Sequence, residues 1–371
     1  MTAAVKIEGS GLEGVLAATT RLSDVDGEQG RLVLAGHPIE DVAGQRSFED
    51  AVHLLFRGSF PTAEQRSALR DALGDAREAA FQRLADLGDA LALPDGMDAL
   101  RASVAHLSIV ASEEPLAETV RILGAVAVFA AAGARQAAPV RPDPRLSHAA
   151  DYLRMATGRV PTAGETAAID AYLVTVIDHG MNASTFAARV VASTASDSIS
   201  AVVAAIGALK GKLHGGAPGP VLDMLDAIGK AEEARRWVAA ALGRGERIMG
   251  MGHRIYRVRD PRAFVLERAV AQLEAASETT SPIGRRLRLA RAVEGEAETQ
   301  LMARHPDRPL KANVEFYTAI LLEAVGLPRT LFTPTFAASR AAGWCAHIDE
   351  QRRYGRLIRP QSRYVDLPPA A

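Results

Sequence analysis

The sequence predicts an all-α protein of two domains, with one small β-hairpin near its N-terminus. The chain has 371 residues, which exceeds the usual size of a single hydrophobic core. Hydrophobic residues make up 48% of it and aromatic residues only 5%, so Ala, Leu and Val supply most of the apolar surface. Such a composition favours closely packed helices, and apolar residues recur at helical spacing through most of the chain.

The clearest strand signal lies near the N-terminus, where residues alternate in polarity between Gly30 and Ile39. This pattern, with Gly and Pro at its ends, predicts a short hairpin. From Ser47 onward the spacing becomes helical, because Ser47-Phe-Glu-Asp is a capping-box type of helix start. Further helices are predicted over residues 63–87, 97–112, 114–133, 148–157, 162–178, 183–193, 198–209, 221–228, 232–243, 261–278, 281–304 and 336–353, and after Glu315.

The domain organisation is predicted from a change in composition along the chain. The proline-rich residues 136–147 are predicted to form an exposed linker between two helices. Helices after the loop at His214 carry more charge than those in the preceding third. We therefore predict a large domain over residues 1–215 and 323–371, and a small domain over residues 216–322.

Charge and cysteine content restrict the class of protein. The formal net charge of −1 gives no reason to expect nucleic acid or an anionic membrane as a partner. The single cysteine, Cys345, cannot form an intrachain disulfide, which favours a reducing compartment. The N-terminal residues contain no long apolar run, so we expect no secretion signal, and the apolar run 122–134 is predicted to be a buried helix. We expect a cytoplasmic protein.

The stretch from Gly250 to Arg262 is the strongest candidate site. It carries two glycines, a histidine and four arginines in thirteen residues. Glycines let the backbone approach a ligand closely. His253 can exchange a proton near neutral pH, and the fork of Arg262 suits a carboxylate. The stretch predicts a site for an anionic substrate that gains or loses a proton, although a glycine loop before a solvated basic helix would contain the same residues.

Two further segments carry acid/base side chains. His214 precedes a pair of glycines, and Glu315 lies at the start of an apolar helix. Each has a purely structural alternative, because His214 suits a turn and the helix dipole favours Glu315 in a first turn. Together with His253 they form an acid/base set that a fold could bring together.

Six motifs in this chain resemble, in their order, those of the citrate synthase family. They are Asp178-His179-Gly-Met-Asn-Ala-Ser-Thr-Phe, His214-Gly-Gly-Ala, Gly-Met-Gly-His253 through Asp-Pro-Arg262, Asn-Val-Glu315-Phe-Tyr, Arg340-Ala-Ala-Gly-Trp-Cys-Ala-His-Ile-Asp-Glu-Gln and Arg359-Pro-Gln-Ser. The resemblance covers nearly the whole chain. It implies a two-domain helical fold with a small N-terminal hairpin, in which the small domain binds coenzyme A and is mobile.

The resemblance also implies a reaction. The family joins the methyl carbon of acetyl-CoA to the ketone of oxaloacetate and then hydrolyses the thioester. By resemblance, Glu315 is the base that removes a methyl proton, and His214 hydrogen-bonds the thioester oxygen. His253 would polarise and protonate the ketone. This assignment needs no metal and no tightly bound cofactor, since the coenzyme A thioester is itself a substrate.

Substrate-binding residues follow from the same resemblance. Arg262 and Arg340 would hold the carboxylates of oxaloacetate, and His179 would add a hydrogen bond. Arg359 matches an arginine that reaches the site of the neighbouring subunit, which implies a homodimer. Residues matching the coenzyme A contacts of the family are Met249, Gly250, Met251 and Gly252 for the adenine and Arg257 for a phosphate.

The chain departs from the commoner family pattern at several positions. Glu315 stands where aspartate is usual, Val176 where histidine is frequent and Lys212 where proline is frequent. Three hypotheses therefore stay open. The first is citrate synthase, the second is 2-methylcitrate synthase acting on propionyl-CoA, and the third is a catalytically weakened relative that binds coenzyme A esters.

Overall fold

The N-terminal part of the protein forms a small antiparallel sheet. The computed structural model describes residues 11–12, 14–108, 114–133, 138–214, 218–252, 256–275, 282–306, 310–362 and 364. The sheet has the order β1 (Ser23–Asp26), β2 (Arg31–Leu34) and β3 (His37–Pro38). The predicted hairpin is confirmed as β2 and β3. The sequence did not reveal β1, because Ser and Asp form three of its four residues and are uncommon in strands.

The rest of the described chain is predominantly helical, which confirms the predicted fold class. The helices are α1 (Ile39–Val42), α2 (Phe48–Arg57), α3 (Ala63–Gln82), α4 (Gly96–Ala105), α5 (Pro115–Gly133), α6 (His148–Thr157), α7 (Ala163–Thr175), α8 (Ala183–Ala192), α9 (Ser198–Leu209), α10 (Pro218–Ile228), α11 (Ala234–Gly243), α12 (Pro261–Ala275), α13 (Pro282–Arg304), α14 (Val314–Ala324) and α15 (Phe332–Tyr354).

Helix α2 begins at the cap that the sequence predicts, and α7 begins at a cap of the same kind. Ser47 caps α2 in a capping box with Asp50, and Thr162 caps α7 in a box with Glu165. The end of α7 differs from its prediction. The helix ends at Thr175, so residues 176–182 form a loop and His179 lies in this loop instead of at a helix terminus.

The core of the first half surrounds α5. This helix is long and apolar enough to cross a membrane, but 72% of its most apolar part is buried inside the protein, where it packs against α3, α4 and α15. Gly124 is required at the crossing with α3, because a Cβ there would lie 2.6 Å from the backbone carbon of Ala76. The apolar run 122–133 is therefore a core helix.

The helices from α10 to α14 pack chiefly on one another. Among them, α12 packs on α14, α11 on α13 and α10 on α14, while α12 and α14 also contact α7. The division into domains at residues 215/216 and 322/323 stays a prediction. The contact between α7 and α12 places the loop after α7 beside the segment that precedes α12.

Candidate active site

A cavity of about 820 Å³ lies where loop 176–182 and α15 face the segments before α12 and α14. Seven of the predicted site residues line it, namely His179, His214, Met251, Gly252, Arg262, Glu315 and Arg340. Two imidazoles, two guanidinium groups and one carboxylate thus face a common space.

His214 follows the end of α9 and is a neutral hydrogen-bond donor. Its Nε2 accepts a hydrogen bond from the backbone N–H of Ser184 at 3.3 Å and lies 2.8 Å from Ser184 Oγ. A ring nitrogen that accepts a backbone N–H carries no proton, so the proton of the neutral ring is on Nδ1. Burial, and then the charge of Arg340, lower the pKa of His214 to about 4. The ring therefore stays uncharged at neutral pH.

Ser184 links His214 to the helices behind it. It belongs to the first turn of α8, where the side chain of Asn182 caps the backbone N–H groups of Ser184 and Thr185 at 3.1 Å each. The indole N–H of Trp344 donates to Ser184 Oγ at 3.1 Å. The sequence analysis did not identify Ser184 as a site residue, because serine at the start of a helix is ordinary.

Arg340 is a buried cation on α15, with 1% of the residue exposed. Its Nε donates to the carbonyl of Val176 at 2.6 Å, and its guanidinium lies 4.7 Å from the ring centre of Phe336. Among the described residues it forms no ion pair with a carboxylate. Burial lowers the pKa of Arg340 to about 10, and the charge of Asp178 offsets part of that effect. The side chain stays charged and can pair with an anionic ligand.

His179 lies in loop 176–182 and faces the segment before α12. Its Nε2 is 3.0 Å from the hydroxyl oxygen of Tyr256, and the two rings meet edge to face at 5.7 Å. Burial raises the pKa of Tyr256, so this phenol keeps its proton. The sequence analysis did not identify Tyr256, since a tyrosine in a basic stretch carries no distinctive signal.

Arg262, in the first turn of α12, is paired within its own segment. Its Nε and Nη2 donate to the two carboxylate oxygens of Asp260 at 3.0 and 2.8 Å, and both residues are buried. The second oxygen of Asp260 also accepts the backbone N–H of Val314 at 3.2 Å. Asp260 therefore holds the arginine and the start of α14 in a common arrangement.

Glu315 lies in the first turn of α14, whose N-cap is Asn313. The side-chain oxygen of Asn313 accepts the backbone N–H of Glu315 at 3.0 Å, and its amide donates to the carbonyl of Gly252 at 2.8 Å. Burial raises the pKa of Glu315 to about 7; Asp260 acts in the same direction, and Arg262 and Arg340 partly offset it. A carboxylate with a pKa near neutrality is suited to act as a general base.

Gly250 and Gly252 let residues 249–252, the glycine loop, lie against the start of α14. Both have positive φ angles, +76° and +81°. A Cβ on Gly250 would lie 2.8 Å from the ring of Phe316, and one on Gly252 would lie 2.9 Å from Leu310. Met251 forms an antiparallel bridge with Ala312. Other residues would strain this loop, whose backbone forms part of the cavity wall.

The other predicted site residues that the structure describes do not line this cavity. Met249 and Gly250 adjoin the lining residues of the glycine loop without being among them. Arg257 is exposed and does not line the cavity, and Arg359 is exposed in the segment after α15. His253 lies outside the described residues, so its predicted role as an acid stays a prediction.

Exposed basic side chains surround the cavity near the ends of α9, α11 and α13. They are Lys212, Arg247, Arg304 and His305. The sequence analysis did not identify Arg304 and His305, because basic residues are favoured at the end of any helix. Only the fold brings the end of α13 to this cavity.

The fold and the cavity define a helical enzyme with a site for an anionic substrate. It combines a carboxylate that can take up a proton near neutral pH, a neutral imidazole that can donate a hydrogen bond, and buried arginines that can bind carboxylates. Such a set suits the removal of a proton from a carbon acid while negative charge develops on a neighbouring oxygen.

Comparisons with known proteins agree with this class of site. The family model described as citrate synthase, C-terminal domain, matches residues 11–361. The citrate synthase of Haloferax volcanii is 40% identical over 373 residues, covering 96% of this chain and 95% of that protein. The 2-methylcitrate synthase of Mycobacterium tuberculosis is 36% identical, covering 95% and 89%.

A solved structure shows the same fold. Citrate synthase from Thermoplasma acidophilum, in a ternary complex with carboxymethyl coenzyme A and oxaloacetate, aligns with a TM-score of 0.84 at 27% identity and covers 97% of both chains. The chain therefore belongs to the citrate synthase family. It is an enzyme and an acyltransferase, as predicted from its motifs.

Proposed function

We propose that this enzyme condenses acetyl-CoA with oxaloacetate and water to give citrate and free coenzyme A. The observation that carries the proposal is the meeting of Glu315, neutral His214 and Arg340 in one cavity. Family membership supports the reaction class, and the solved relative bound to a coenzyme A analogue and oxaloacetate supports both substrates.

The first chemical step is removal of a proton from the methyl carbon of acetyl-CoA. Glu315 takes this proton, because its pKa of about 7 lets an ionised fraction coexist with useful basicity at neutral pH. His214 donates a hydrogen bond from Nδ1 to the thioester oxygen, on which negative charge develops. Its lowered pKa prevents it from becoming imidazolium, so it stabilises the enolate by a hydrogen bond.

The second step is attack of the methylene carbon on the ketone of oxaloacetate. Arg340 binds one substrate carboxylate with its charge, and Arg262 contributes a second guanidinium to binding of the dianion. His179 donates a further hydrogen bond. His253 is proposed to protonate the new alkoxide. Water then hydrolyses the citryl thioester and releases coenzyme A.

Coenzyme A is proposed to bind along the glycine loop. Residues 249–252 would contact the adenine and Arg257 a phosphate, with exposed cations near the cavity adding to the attraction for phosphates. We further propose that residues 216–322 move as a small domain to close over the substrates. We also propose a cytoplasmic homodimer in which Arg359 reaches the neighbouring site, with no nucleic acid or membrane partner.

Propionyl-CoA is the alternative acyl substrate. The relative from Mycobacterium tuberculosis named 2-methylcitrate synthase favours it. One methylene group is worth only about 1–3 kcal/mol of discrimination, so the two activities are separated by a small energy. The third hypothesis, a catalytically weakened relative, depends on Glu315 replacing the usual aspartate and on the loop substitutions.

The test is oxaloacetate-dependent release of free thiol, measured in parallel with acetyl-CoA and propionyl-CoA. We expect a higher kcat/KM with acetyl-CoA. A higher value with propionyl-CoA would change the assignment to 2-methylcitrate synthase. No thiol release with either substrate, from a folded protein that still binds coenzyme A, would support the weakened relative.

A further inference from the structure

A buried chain of polar side chains lies directly behind His179 and Arg340. Asp178 Oδ2 accepts hydrogen bonds from the hydroxyl of Ser23 at 2.5 Å and from Nε2 of His347 at 3.2 Å. Nδ1 of His347 lies 2.7 Å from Nη1 of Arg189. Asp178, His347 and Arg189 are at most 2% exposed, so solvent takes almost no part in these contacts.

The chain has a defined direction. A guanidinium can only donate, so Nδ1 of His347 is an acceptor and its Nε2 carries the proton that is donated to Asp178. The charge of Arg189 is paired with Glu350, 2.8 Å away, while its Nε donates to Gln351 at 3.1 Å. The tautomer of His347 is therefore set by its buried partners.

The hydrogen bonds that stabilise the buried charge of Asp178 all reach its Oδ2 atom. Its Oδ1 is buried and has no hydrogen-bond partner among the described residues. Burial alone would raise the pKa of Asp178, but the hydrogen bond from His347, the charge of Arg340 and the hydrogen bond from Ser23 hold this pKa below its usual value. Loss of one Oδ2 contact would thus leave a poorly compensated buried charge.

These contacts bear directly on the loop that carries His179. Asp178 precedes His179, and Ser23 Oγ accepts the backbone N–H of Gly180 at 2.8 Å. Both neighbours of His179 are therefore anchored to β1. The hydrogen bond from His347 anchors the same loop to α15.

Helix α15, which holds Asp178 through His347, also carries Arg340, the cation proposed to bind the substrate. Arg340 donates to the carbonyl at the start of the loop, and Gly343 packs so closely that a Cβ would lie 2.3 Å from the carbonyl oxygen of Ile177. Arg340, Gly343 and His347 follow one another at helical spacing on the face of α15 that meets the loop. A shift of Asp178 would therefore displace His179 and change the surroundings of Arg340 together.

We infer that His347 and Ser23 are positioning residues for the substrate dianion. They hold the Asp178 carboxylate so that loop 176–182 aims His179 into the cavity beside Arg340. Neither residue lines the cavity, so both act through Asp178. This inference rests on the proposed function, in which His179 and Arg340 bind oxaloacetate.

The test is a steady-state comparison of wild type with His347→Ala, His347→Gln and Ser23→Ala, with KM measured separately for oxaloacetate and acetyl-CoA. We expect His347→Ala to raise KM for oxaloacetate about 10-fold or more, the size typical of a lost hydrogen bond to a charged group. Ser23→Ala should raise it about 3-fold or more. KM for acetyl-CoA should change less than about twofold, because the affected contacts surround the oxaloacetate side of the cavity.

Rescue by a conservative variant separates positioning from general damage. His347→Gln can still place an N–H donor near Asp178, so its KM for oxaloacetate should return to within about threefold of wild type. Arg353→Gln is the matched control, because Arg353 lies on the same helix, pairs with Asp349 at the surface and does not contact the loop. It should behave as wild type.

The outcomes distinguish this inference from the proposed function. An active wild type with unchanged KM for oxaloacetate in His347→Ala and Ser23→Ala overturns the inference alone. If His347→Ala does not fold, as judged by circular dichroism, Ser23→Ala decides. A folded wild type that releases no thiol and binds no oxaloacetate overturns the proposed function and this inference with it.

Discussion

The two buried arginines of the cavity are held in opposite ways. Arg262 forms a bidentate ion pair with Asp260, whose charge raises the pKa of Arg262. Arg340 has a backbone carbonyl and an aromatic ring as its close partners, and burial lowers its pKa to about 10. Arg262 thus belongs to a preformed ion pair, while Arg340 is a buried cation with no carboxylate partner among the described residues.

The same difference extends to the two walls of the cavity. The wall made of loop 176–182, His214 and α15 presents donors and uncompensated positive charge. The opposite wall carries the carboxylate of Glu315 together with Arg262, whose charge is neutralised by Asp260. We interpret the first wall as the one that attracts the substrate dianion and the second as the one that moves the proton.

The largest expected effect is on proton transfer. Glu315→Gln should lower kcat by about 10³-fold, within the range usual for loss of a general base, while oxaloacetate binding changes little. Thiol release and calorimetric titration with oxaloacetate measure the two quantities. Glu64→Gln is a suitable control, because Glu64 occupies the first turn of α3 at the surface. An unchanged kcat in Glu315→Gln would show that another group is the base.

A second prediction contrasts the two arginines directly. Arg340→Gln should raise KM for oxaloacetate about 100-fold with a smaller loss of stability than the other variant, because Arg340 forms no direct ion pair with a carboxylate in the described chain and its close protein contact is with the Val176 carbonyl. Arg262→Gln should also destabilise the fold by about 3–5 kcal/mol, because it leaves buried Asp260 without its partner. Kinetics and urea unfolding test this contrast. Equal stability losses in both variants would contradict the distinction between the walls.

The pH dependence of kcat/KM is the third prediction. Glu315 acts as a base only when ionised, and its pKa is raised to about 7, so kcat/KM should fall about tenfold per pH unit below this value. His214, with a pKa of about 4, should not titrate in this range. An acid limb centred near the ordinary glutamate value, in a pH series at constant ionic strength, would disprove the assigned environment of Glu315.

The smallest expected effect is on thermal stability. A carboxyl group whose pKa is higher in the folded than in the unfolded state lowers stability as pH rises from the unfolded value, 4.5, to about 7. Glu315→Gln should therefore raise Tm by a few degrees at pH 8 and leave it nearly unchanged at pH 4.5. Calorimetry at both pH values measures this. A larger gain at the lower pH would reverse the predicted sign.

Local sequence signals predicted much of the fold. Helices α6 and α9 begin and end where the sequence pattern places them, since Ser147 and Asp197 cap their starts. Features that depend on partners far away in the sequence were not predicted. Strand β1 exists because it pairs with β2, and α7 ends early where α15 holds loop 176–182.

The sequence by itself determined which side chains are available for the chemistry and in what order they occur. Two histidines, two arginines and Glu315 were recognisable from motifs, because the residue types that suit an acid/base site are few. The tertiary structure alone decided how each behaves. It left Arg340 without a carboxylate partner among the described residues, set the tautomer of His214 through Ser184 and raised the pKa of Glu315. Burial and distance set these properties, and both arise only when segments far apart in the chain meet.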